Sequence, residues 1–94
     1  MKITKKPITV EAVRFTGDNI NEVRDIIGRR RFRAVRENDD TVDPGTDAQI
    51  WDIYHSTWIG VRTGQWIVVG VNGETYPIEH DVLVATYDIP DEEK

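Results

Sequence analysis

Five arginines fall within eight residues, at Arg29, Arg30, Arg31, Arg33 and Arg36, and no lysine stands among them. A guanidinium is planar and permanently charged, and it meets phosphate or carboxylate through two parallel hydrogen bonds. The cluster therefore suits a compact anion. On a strand, Arg31 and Arg33 share one face and Arg36 falls on the other unless a bulge intervenes. Trp51, Tyr54 and Trp58 follow, interleaved with Asp52, His55 and Thr57. Exposed rings of this kind stack on a base or anchor a protein partner. The expected ligand-binding set is Arg31, Arg33, Arg36, Trp51, Tyr54 and Trp58. The competing expectation is that these arginines pair with the chain's own acidic residues.

Other chemistry is poorly provided for. The chain has no cysteine, which removes disulfides, thiolate catalysis and Cys-based zinc sites. His55 and His80 lie far apart in sequence, with no helical i, i+4 histidine pair. Ser56 beside His55 is no triad, because adjacent residues point to different sides. Asp39, Asp40, Asp43 and Asp47 share one loop but lack the alternate-position pattern and distal glutamate of a calcium loop. The glycines form neither dinucleotide nor phosphate-loop motifs. The expectation is a non-enzymatic protein with no catalytic residue, no metal and no cofactor.

Ninety-four residues make one domain, 1–94, with a modest core that buries about 60–65% of the unfolded surface. Net charge is −5, split as +6 over residues 1–36 and −11 over residues 37–94. The two halves either fold against each other or leave a basic face beside an acidic body. A pI near 4.9 argues against duplex nucleic acid as a partner. No apolar run approaches the roughly 20 residues of a membrane helix, and the opening MKITKKPITVEAVRF alternates too much for a secretory signal. These features predict a mature cytosolic protein.

The elements that would position the arginines and aromatics follow from periodicity. Ile8–Phe15 alternates and predicts a strand after Pro7. Asn19 is a candidate helix cap, with Glu22 as the acidic half of a capping box. Ile20, Val23, Ile26 and Ile27 predict a helix over 20–27, stopped by Gly28. Phe32–Arg36 predicts a short strand and residues 37–48 an acidic loop around Pro44-Gly45. Gln49–Tyr54 and Thr57–Arg62 predict a hairpin around His55-Ser56, with Ile53 opposite Trp58 and Trp51 opposite Gly60. Gln65–Val69 leads through a two-residue turn at Asn72-Gly73 into a strand that Pro77 confines to an edge. Trp66 is expected in the core. Ile78–Leu83 predicts one helical turn, Val84–Tyr87 a final strand, and residues 89–94 a frayed charged tail. The predicted fold is α+β: one short helix packed on a twisted antiparallel sheet or small open barrel of five to six strands. The first and last strands are expected to pair.

Two stretches carry a resemblance. KKPITVEAVRFTGDN, residues 5–19, and TGQWIVVGVNGETYPIEHDVLVATY, residues 63–87, resemble the opening and closing motifs of a family of small tailed-phage proteins. The chain departs from that pattern at Thr63-Gly64-Gln65, where Pro-Gly-Asp is usual, and at Thr75, where an aromatic is usual. Residues 29–61 match nothing in it. The resemblance implies phage origin and a setting in the host cytoplasm. By context it implies a counter-defence role, since many small phage proteins sequester nucleotide signals or coat a defence protein. Two expectations stand together. One is sequestration of an anionic nucleotide-type ligand in a homo-oligomer; the other is docking as an inhibitor or adaptor on a host or phage protein through the acidic half and the aromatic hairpin.

Overall fold

Ile67 and Val68 are neighbours on one strand and both are fully buried. Adjacent strand residues point to opposite faces, so that sheet must be covered on both sides. The computed structural model, which describes residues 1–4, 8–35 and 43–90, shows how. The elements run β1 (Glu11–Arg14), α1 (Ile20–Ile27), β2 (Phe32–Ala34), β3 (Ala48–Asp52), β4 (Thr57–Val61), β5 (Trp66–Val69), β6 (Thr75–Ile78) and α2 (His80–Thr86). Two three-stranded antiparallel sheets form, in the orders β1-β5-β6 and β2-β3-β4.

The main core lies between them. Val13, Phe15 and Ile67 meet Phe32, Ala48, Ile50 and Val61 from the second sheet, with Val23 and Ile27 of α1 closing the side. Phe15 and Phe32 touch edge to face, ring centroids 5.3 Å apart, the arrangement the ring quadrupoles prefer. A second cluster of Trp66, Val68 and Leu83 fills the opposite face of β1-β5-β6 beneath α2, with Tyr76, Tyr87 and Ile89 packed against it.

The fold is α+β as expected, but three features of the expected architecture change. The described residues form two sheets, not closed into a barrel, because the link after β4 diverts the chain. Gln65 donates to the Arg62 carbonyl and Gly64, at φ +98°, donates to the Phe15 carbonyl. That turn delivers β5 to β1 instead of to β4. The described residues form two helices, because Leu83 and Tyr87 lie four apart and both face the sheet. Val82 and Val84 are exposed, so the expected strand Val84–Tyr87 becomes the last residues of α2, with Tyr87 as its cap. Finally β1 pairs with β5, Val13 opposite Ile67, and the described C-terminal residues, up to Pro90, do not enter a sheet. The first strand is also shorter than Ile8–Phe15, and Ile89 is packed where a frayed tail was expected.

Both hairpins shift register. Val69 pairs with Thr75; across a three-residue loop Gly70 donates to the Glu74 carbonyl while its own carbonyl accepts from the Gly73 N–H. Only Gly73, at φ +80°, is left-handed, the pattern of a turn closed by a glycine bulge rather than a two-residue turn. Glu74 stabilises this loop by accepting from the Asn72 N–H at 2.9 Å. Its carboxylate lies against Gly70 where a Cβ would sit. In the other hairpin Trp51 pairs with Trp58, not Gly60. Asp52 causes this by accepting from the N–H groups of Tyr54 and His55, at 2.9 and 3.4 Å. An Asx turn of this kind makes the loop Ile53–Ser56.

The helix Ile20–Ile27 and its stop at Gly28 match expectation. Asn19 occupies the cap position without bonding the helix N–H groups. Its side chain instead accepts from the Thr16 N–H and donates to the Arg14 carbonyl and Glu22, fastening the turn between β1 and α1. Pro77 lies on an edge strand and Trp66 is buried, both as expected.

Candidate functional site

The site is the outer face of β2-β3-β4, which no other element covers among the described residues. Strand alternation turns Phe32, Ala48, Ile50 and Val61 inward and leaves Arg33, Gln49, Trp51 and Trp58 outward. Register then brings them together: Arg33 pairs with Gln49, and Trp51 with Trp58.

The Arg33 guanidinium lies over the Trp58 ring, 3.9 Å from its centroid, and its Nε donates to Gln49 Oε1 at 2.8 Å. The ring attracts the cation and the amide fixes its rotation. Trp51 meets Trp58 edge-on, centroids 5.4 Å apart. The result is a platform of one braced cation and two half-buried indoles. Tyr54 stands at the hairpin tip, 62% exposed.

The other arginines have different surroundings. Arg31 Nη1 donates to the Gly73 carbonyl at 2.6 Å, tying β2 to the β5–β6 turn. Arg29 reaches Asp25 at 4.0 Å on the surface, a pair worth little. Arg36, Asp39 and Asp40 lie outside the described residues. Among the described residues Arg31 and Arg33 form no ion pair. Of the six expected site residues, Arg33, Trp51 and Trp58 share the face. Gln49 was missed, and the signal for it was its period-two relation to Trp51.

Two carboxylates beside this sheet are held below the usual range. Hydrogen bonding to His55, at 2.7 Å from Nδ1, lowers Asp52, and the Tyr54 and His55 N–H groups add to it. The Thr63 backbone N–H, donating at 2.9 Å, lowers Asp47, with the Thr63 hydroxyl and the Arg62 charge as further causes. Both therefore stay ionised at the two ends of β3, Asp47 just before it and Asp52 as its last residue. His80 is engaged elsewhere: the Trp66 indole N–H donates to its Nδ1 at 3.1 Å.

Among the described residues no three His, Asp or Glu side chains gather as metal ligands, and no helix is long and apolar enough to cross a membrane. Comparison with protein-family models, curated proteins and solved structures gave no match.

Proposed function

We propose that this is a non-enzymatic binding protein that holds an anionic, nucleotide-type ligand on the outer face of β2-β3-β4. One observation carries the reading. Arg33 is fixed between Gln49 and Trp58, so it presents a guanidinium whose ordering is already accomplished before a ligand arrives. A phosphate takes its remaining N–H groups, and a base stacks against Trp51 or Tyr54. The likeness of both ends of the chain to small tailed-phage proteins supports a role in the infected host's cytoplasm. Binding without turnover there would withdraw a signal from a defence system.

Titration with a panel of linear and cyclic nucleotides tests this. Held at 100 times its dissociation constant, a ligand raises stability by roughly 2.7 kcal/mol. Arg33→Ala should weaken that ligand about tenfold or more while costing the unliganded fold no more than about 1 kcal/mol, for the lost Trp58 and Gln49 contacts. Undiminished binding by Arg33→Ala would remove the role given to this residue.

A second reading rests on the openness of the same face. Trp, Tyr and Arg are the residues that anchor protein interfaces, and small-molecule sites are usually concave. A protein docked there would be lost on Trp58→Ala, and no nucleotide would shift the melting temperature.

A further inference from the structure

β1 is an edge strand with a single strand partner, β5, among the described residues. Phe15 bonds toward β5, so alternation turns the N–H and C=O groups of Val10 and Ala12 outward. An unpaired edge of this kind is a template for another strand. It lies in an open groove of about 1290 Å³, walled by α1 at Glu22 and Ile26 and by the C-terminal segment at Tyr87 and Ile89. That exceeds the roughly 300–1,000 Å³ of a small-molecule pocket.

The groove is acidic. Among the described residues, Glu11, Glu22, Glu74 and Asp88 line it, together with the basic Arg14. The segment Met1–Thr4 has the complementary character. Met1 and Ile3 are 114% and 87% exposed, so they pack on nothing in their own chain. They alternate with Lys2 and Thr4, which is the pattern of a strand with one apolar face.

We propose that the β1 edge takes the Met1–Thr4 segment of a second copy of this chain as a fourth strand, and that the exchange is reciprocal. The main chain of the arm pairs with the outward groups of Val10 and Ala12. Met1 and Ile3 enter the groove, and Lys2 lies toward its carboxylates. A two-fold dimer results, since the same two surfaces meet twice. This surface is separate from the Arg33–Trp58 face, so either proposal can fail alone.

Light scattering on the full chain after size exclusion tests it. The expected mass is twice 10.8 kDa at tens of micromolar protein, falling toward one chain as salt is raised. The double variant Lys2→Glu, Ile3→Glu changes only exposed residues and should weaken dimerisation tenfold or more with an unchanged melting curve. Ala12→Pro removes an outward N–H that the β1–β5 ladder does not use and should have the same effect. A wild-type chain that stays monomeric overturns the proposal. So does a dimer that survives the arm variant, including one lost only in Ala12→Pro, which would mean pairing of β1 with β1.

Discussion

Trp66 on one sheet is 7% exposed, whereas Trp51 and Trp58 on the other are half-buried; Arg14 lies 5.9 Å from the Trp66 ring and Arg33 only 3.9 Å from that of Trp58. The two sheets have the same number of strands and the same antiparallel pairing. They differ in what lies over them. The sheet β1-β5-β6 has the main core on one face and α2 on the other. The sheet β2-β3-β4 has the core on its inner face alone. An indole is a large apolar group with a polar handle; covered by a helix it is packing, and uncovered it leaves part of its ring open to contact. The aromatic content of a segment thus says little until the layer above it is known.

The largest test of this contrast is a pair of truncations. Ile67→Ala, between the sheets, should cost about 2–5 kcal/mol by leaving a cavity. Trp58→Ala on the open face should cost about 1 kcal/mol, the worth of its cation and edge-on contacts, and should abolish ligand binding. Chemical denaturation measures both, and equal costs would break the comparison.

The covered sheet should also have an alkaline limb that the open one lacks. Burial pushes Tyr76 up to about 12, helped by the Tyr87 hydroxyl at 3.0 Å. A raised phenol stabilises the fold fully below pH ~10 and loses that contribution as pH climbs toward 12. Tyr76→Phe should flatten stability against pH over that interval.

Gly73→Ala should cost about 1 kcal/mol, because its φ of +80° disfavours any Cβ. The change should also loosen the carbonyl that holds Arg31, read as an altered amide shift at Arg31 while Arg33 stays in place. The smallest effect belongs to the open side. Asp47 and Asp52 have lowered pKa values, so their contribution is present above pH ~4 and fades as pH falls below the ordinary carboxylate value. Asp47 is exposed, so salt shrinks its share. Asp52→Ala should abolish that fading at its own position and slacken the Trp51–Trp58 hairpin, seen as a change in tryptophan fluorescence.

Much of the local structure was legible in the residues. Ile20, Val23, Ile26 and Ile27 announced α1 and Gly28 its end, because helical periodicity and a left-handed stop are properties of a short segment. The approximate strands and the edge position of Pro77 were legible for the same reason. Of the site, Arg33, Trp51 and Trp58 were named, but Gln49 was not, and Arg31 was expected beside them without its bond to Gly73.

The sequence by itself determined α1, the approximate positions of most strands and which residue types could hold an anion, but not the extent of α2. Tertiary structure decided the rest. Asp52 lengthened one loop and moved Trp51 opposite Trp58; Gly64 steered β5 to β1 and divided the strands between two sheets; α2 covered one sheet and left the other open. Each of these depends on a side chain or backbone group meeting a partner distant in sequence or across a turn, and periodicity along the chain carries no record of such meetings.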